Sequence, residues 1–180
     1  MAVRQREYIA NEIYFITFTI LDWKHIFIND KYCVLVYRWF NYMKENYGNK
    51  IYGYVIMPNH IHCIIKITDK SPNVSRLIQN AKRFLAYDII KLLREDNKTE
   101  MLKFFQENAR TQFGAKHKLF EDGFDALIIQ TEKFFDEKMN YIHNNPCVEK
   151  WSLAEYPEDY KYSSAANYIL EKGSYNIDIL

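Results

Sequence analysis

Cysteine is scarce in this chain: Cys33, Cys63 and Cys147 lie far apart and form no CxxC pair. Such spacing supports neither a disulfide framework nor a structural zinc knuckle, and it points to a reducing compartment. Long apolar runs are missing too. No stretch approaches the ~20 apolar residues that span a bilayer, and the N-terminus has no apolar signal-peptide core, so a soluble cytoplasmic protein without a membrane partner is expected. Repeats and low-complexity segments are absent, and the net charge is only +1.

What is present fits one domain over residues 1–180. The chain is long enough to bury a real core, and its 48% hydrophobic content argues against general disorder. Aromatics make up 17%, with 15 Tyr and 12 Phe, a surplus that serves packing and also supplies surfaces on which unpaired bases stack. The small net charge hides an uneven distribution. Between Arg76 and Lys118 ten Lys and Arg face five acids, whereas from Glu149 to Leu180 three Lys face six acids. The basic middle segment suits either a phosphate backbone or a solvated helix face.

Alternating β-branched and aromatic residues from Tyr14 to Ile20 read as a first strand. Asn29 or Asp30 then caps a helix that stops near Gly48. Ile51–Met57 and His60–Thr68 are strand-like and separated only by Pro58-Asn59, which suits an antiparallel hairpin. Ser71-Pro72 has the signature of a helix start, and apolar residues recur at helical spacing to Arg94. The polar stretch from Glu95 to His117, which holds Phe104, Phe105 and Phe113, reads as an insertion or connector with some helix. A strand over Ala126–Ile129 leads to Thr131, an N-cap for a helix ending close to Pro146. This order is α+β, a mainly antiparallel sheet covered by helices.

The most informative stretch is Val55-Ile56-Met57-Pro58-Asn59-His60-Ile61-His62. A strand's two-residue period sends His60 and His62 to one face and Ile61, Cys63, Ile65 and Ile67 to the other. Two neutral imidazoles on adjacent same-face positions can hold one divalent ion. Taken alone, the same tripeptide also suits histidines that merely face solvent or a polar cleft.

A second motif closes the last long helix: Tyr141-Ile142-His143-Asn144-Asn145-Pro146. At about 100° per residue, Phe135, Met139 and Ile142 form an apolar stripe. Phe134, Lys138, Tyr141 and Asn145 form another beside it. Tyr141 thus flanks the buried face with its hydroxyl toward a cleft, and Asn145 offers a hard carbonyl oxygen as a third ligand after the histidines. The structural alternative is that Tyr141 packs a core edge and Asn145 ends the helix before proline.

Together, VIMPNHIH and YIHNNP, in this order and at this separation, resemble the single-tyrosine HUH transposases, especially the REP-associated tyrosine transposase branch of the insertion-sequence family. The likeness runs from Tyr14–Phe18 into the tail segments Tyr156–Tyr160 and Tyr162–Ala165. It implies a ferredoxin-like sandwich, with His60 and His62 as the HUH pair, Asn145 as a polar metal ligand and Tyr141 as the nucleophile. The implied enzyme is a Mg²⁺- or Mn²⁺-dependent transposase that cuts and rejoins hairpin-flanked single-stranded DNA through a 5′-phosphotyrosine. A nucleoid-associated protein and a homodimer are also implied, with the tyrosine acting in cis or in trans. Cys147 departs from the valine common after the family's proline.

Three alternatives stay open on sequence: a replication-initiator-type HUH nickase, a catalytically silent DNA-binding descendant of a transposase, and a zinc protein in which Tyr141 is structural. Conjugative relaxases are disfavoured because their tyrosine precedes the histidines.

Overall fold

A computed structural model describes residues 8–109 and 114–180. Strands β1 (Ile13–Thr19), β2 (Lys50–Met57), β3 (His60–Lys66) and β4 (Asp125–Ile129) form one sheet in the order β2-β3-β1-β4. Every neighbouring pair is antiparallel. Helices α1 (Asp30–Tyr47), α2 (Val74–Glu95), α3 (Thr99–Glu107), α4 (Glu132–Asn144) and the short α5 (Ala165–Ile169) surround it. The α+β, ferredoxin-like reading holds. The hairpin turn is Pro58-Asn59, as the sequence implied.

The sheet has two unlike faces. Ile61, Cys63 and Ile65 of β3 join Tyr14, Ile16 and Phe18 of β1 in a core closed by α1 and α2. On the opposite face Phe15, Val55, Met57 and Ile64 pack against Phe135, Met139 and Ile142, the apolar stripe of α4. Gly53 sets how closely α4 approaches: a Cβ there would sit 2.7 Å from Met139 Sδ and 3.1 Å from Ile142 Cδ1.

Helix ends follow side-chain chemistry. Gly48 closes α1 in the left-handed conformation at φ 66°, which glycine adopts without a steric penalty. Thr131 caps α4 by accepting the Phe134 amide at 3.2 Å. The expected cap at Ser71-Pro72 is displaced: Asn73 accepts the Arg76 amide at 2.9 Å and α2 starts at Val74. In the polar stretch after α2, α3 buries Phe105 completely and packs Phe104 against the core. Phe113 lies outside the described residues.

The tail covers the edge strand β2. Tyr162 O accepts the Ile56 amide (2.8 Å) and Tyr54 O the Ser164 amide (2.9 Å), while Tyr160 and Tyr168 donate to Ile56 O and Tyr52 O. An exposed strand edge would otherwise be a template for aggregation. His143, which carries no role in the sequence reading, is buried here against Ser164 Oγ at 2.9 Å.

Candidate metal centre and nucleophile

His60 and His62 emerge on the α4 face of β3, their ring centroids 4.7 Å apart. Each imidazole is oriented by a hydrogen bond at Nδ1. Asn59 Nδ2 donates to the Trp23 carbonyl (3.1 Å), which turns Oδ1 toward His60, where it accepts Nδ1–H at 2.6 Å. Thr17 on β1, directly opposite His62 in the register, places Oγ1 2.6 Å from His62 Nδ1. Where the partner accepts at Nδ1, as the Asn59 amide oxygen must and the Thr17 hydroxyl can, Nε2 keeps its lone pair free, the arrangement in which a neighbouring oxygen orients a metal-binding imidazole.

Burial keeps both rings neutral. Desolvation lowers His60 to about 4, helped by the nearby Lys150 charge. It lowers His62 to about 3, with His60 and Lys138 adding to the effect. Neutral imidazole is the form that binds a divalent cation.

Tyr141 lies beside this pair in the same chain. Its ring centroid is 5.2 Å from that of His62 and 6.1 Å from that of Phe15. The ring is held by these contacts while the residue is 50% exposed, so the phenol is both positioned and accessible. Lys138, one turn earlier, sets Nζ 5.0 Å from the Phe15 ring centre and 5.7 Å from that of Tyr141.

Asn145, on the next turn after Tyr141, is buried. Its Oδ1 and His62 Nε2 are two of the three buried side-chain polar atoms without a hydrogen-bond partner among the described residues. An unmet buried polar atom costs about 1–3 kcal/mol, and a cation accepting both lone pairs would offset that cost. Two neutral imidazoles and an amide oxygen fit a divalent metal of intermediate hardness. Among the described residues no group of three or more His, Cys, Asp or Glu side chains could hold an ion, so a centre here needs the amide. Cys63 points into the opposite core and its thiol is raised by burial, which leaves the zinc alternative without a soft third ligand.

The sequence matches the family described as transposase IS200-like over residues 13–145. That span opens at the first residue of β1, contains both histidines and Tyr141, and closes on Asn145. The chain belongs to the IS200-like transposase family. Its fold is similar to that of a REP-associated tyrosine transposase solved bound to a REP hairpin, with TM-score 0.68 and 19% identity over 100% of this chain and 92% of that one. A protein of Deinococcus radiodurans R1 described as a transposase is similar at TM-score 0.48 and 15% identity, over 79% and 96% of the two chains. No curated protein matches.

In this IS200-like protein the four residues singled out from sequence, His60, His62, Tyr141 and Asn145, sit on β3 and at the end of α4, which packs over β2 and β3. The sequence reading missed Thr17 and Asn59, whose roles come from strand register and turn geometry. Lys138, placed by helical spacing on the stripe of Tyr141, sets its ammonium over the rings of Phe15, Phe134 and Tyr141. Among the described residues, the basic middle segment faces away from the site. Its helix α2 packs on the far face of the sheet, and Lys91, Lys103 and Lys118 pair with acids four residues on. No helix among the described residues is long and apolar enough to cross a membrane.

Proposed function

We propose that this transposase cuts and rejoins single-stranded DNA beside a hairpin, with Tyr141 as the nucleophile and His60, His62 and Asn145 as ligands of one Mg²⁺ or Mn²⁺. The observation that carries this reading is the packing of the Tyr141 ring on His62, 5.2 Å between centroids, within one chain. A hairpin substrate is supported by the similar transposase solved with a REP hairpin.

The Tyr141 oxygen attacks the scissile phosphorus and the bond to the 3′-oxygen of the upstream nucleotide breaks. The products are a 5′-phosphotyrosine and a free 3′-hydroxyl, and a later attack by a 3′-hydroxyl reverses the exchange. Phosphodiester bond energy is conserved, so no external energy source enters. The half-exposed phenol gives its proton to solvent, and the protonated product is the 3′-hydroxyl. The bound cation would polarise the scissile phosphate and offset charge on the leaving oxygen. Thr17 and Asn59 hold the imidazoles in the ligating tautomer. Lys138 sets a positive charge where the phosphate meets Tyr141.

Incubation of the protein with labelled single-stranded hairpin DNA and Mn²⁺, followed by a denaturing gel, tests this. A covalent protein–DNA band that Tyr141→Phe abolishes and EDTA prevents is expected. A band that persists in Tyr141→Phe would overturn it. Unchanged DNA binding with no band in any variant would instead identify a silent descendant.

A further inference from the structure

A groove of about 650 Å³ opens next to His60, lined by Trp23, Trp151, Lys150 and Asn59 among others, and Tyr141 is not part of its wall. The order of residues along β1 places it. Phe15 lies against Tyr141, Thr17 pairs with His62, Thr19 pairs with His60, and Trp23 follows just beyond the strand end. Ring contacts repeat this order: Tyr141 to His62 is 5.2 Å, His62 to His60 is 4.7 Å, and His60 to Trp151 and Trp23 is 5.8 Å and 6.0 Å. The nucleophile flanks one end of the imidazole pair and two indoles flank the other.

The two indoles are held at a conformational cost. Trp23 is 56% exposed, although burial is the usual fate of so large an apolar ring. Asp22 and Trp23 both adopt left-handed backbone, at φ 52° and 54°, and Ser152 beside Trp151 does so at φ 44°. Such strain in non-glycine residues persists only where the surroundings enforce it, and it gathers at functional sites. Here Glu121 Oε1 accepts the Asp22 amide at 2.7 Å, Asn59 accounts for the Trp23 carbonyl, and Val148 O accepts the amides of Trp151 and Ser152 at 2.9 Å. Asn59 therefore orients His60 and Trp23 at once. Between the indoles stands the Lys150 ammonium, 5.6 Å from the Trp23 ring centre and 5.4 Å from that of Trp151. Two aromatic faces with one cation match a nucleotide, whose base stacks while its phosphate takes the charge.

Phosphoryl transfer runs in line, so the leaving oxygen departs opposite the attacking one. With Tyr141 at one end of the pair, the departing 3′-oxygen lies toward the Trp end. We infer that Trp23 and Trp151 stack the base of the nucleotide immediately upstream of the cut, the one that keeps the 3′-hydroxyl, and that Lys150 binds that nucleotide's own phosphate. This slot rests on the proposed polarity of cleavage. It retains the free end for rejoining after the strand is opened.

The test separates the slot from the chemistry. The Tyr141→Phe protein is titrated with a short oligothymidylate strand carrying one 2-aminopurine, whose fluorescence falls on stacking. The Trp23→Ala/Trp151→Ala pair should bind roughly 10- to 100-fold more weakly and lose the quenching. The Trp23→Phe/Trp151→Phe pair, with aromatic faces retained, should recover most of both and exclude a folding defect. Equal affinity and quenching in the alanine pair would overturn the slot. On hairpin DNA cut by the active protein, 2-aminopurine one position upstream of the mapped cut should be quenched and one position downstream should not. The reverse pattern would overturn the assignment to the leaving side. Loss of binding in the alanine pair, together with no covalent band from the active protein, would leave the slot standing and sink the proposed cleavage.

Discussion

The two faces of β3 put alternate residues of one strand to opposite uses. Ile61, Cys63 and Ile65 enter a core of α1 and α2 in which each is completely buried among apolar neighbours. His60 and His62, one residue away in each case, enter a face where His62 Nε2 and Asn145 Oδ1 are buried without partners. Burial of hydrocarbon on the first face stabilises the fold by about 25 cal/mol per Å². Burial of unpaired polar atoms on the second costs about 1–3 kcal/mol each. An apolar core can thus carry a neighbouring face on which two polar atoms converge without partners, and that convergence is where a ligand would be accommodated.

The comparison is broken most severely on the apolar side. Phe40→Ala, at a position with no exposure in the α1 core, should cost about 3–5 kcal/mol in urea unfolding, while the molecules still folded form the covalent band at the parental rate. His62→Ala should reverse this pattern. Unfolding should show less than half that loss, and the band should form roughly 1,000-fold more slowly, as expected when several kcal/mol of phosphate polarisation disappear. Equal effects of the two variants on both measurements would erase the distinction between the faces.

Acid sharpens it. The three buried histidines, His60, His62 and His143, all belong to the α4 side, and burial lowers His143 to about 4. A depressed imidazole means the unfolded chain takes up its proton first as pH falls. Stability from this source is therefore complete above pH ~6.5 and is lost as pH drops toward about 4. His143→Gln, able to keep a hydrogen bond to Ser164, should remove roughly 3 kcal/mol of that acid-linked loss, read as a shallower fall of urea midpoint between those pH values. An unchanged acid limb would exclude His143 as its source.

The smallest expected change concerns the contact that joins α4 to the sheet. Gly53→Val should displace Met139 and Ile142, costing about 1–3 kcal/mol, and should slow band formation further than stability loss explains, because Tyr141 moves with α4. Parental band formation in the folded fraction would show that the helix tolerates the shift.

Much of this was legible in the chain because it is local. The period of two put His60 and His62 on one face, and the period of 3.6 put Phe135, Met139 and Ile142 against the sheet with Tyr141 beside them. Thr131 and Gly48 announced helix ends through chemistry within a few residues. What stayed hidden depends on distant segments meeting. Thr17 reaches His62 across a strand register spanning 45 residues. Asn59 looks like a turn residue until Trp23 arrives to fix its amide, and the tail tyrosines bond an edge that no local pattern identifies. Asn73 displaced Ser71 as a cap because Ser71 is taken up by Asn49, whose Nδ2 lies 3.2 Å from Ser71 Oγ. The sign of the basic segment was readable, but the face it occupies was not.

Mass spectrometry of the protease-digested protein–DNA adduct tests the central claim most directly, since the chain holds 15 tyrosines. A nucleotide phosphate is expected on the peptide containing Tyr141 and on no other. Attachment at any other tyrosine, with Tyr141 unmodified, would contradict it.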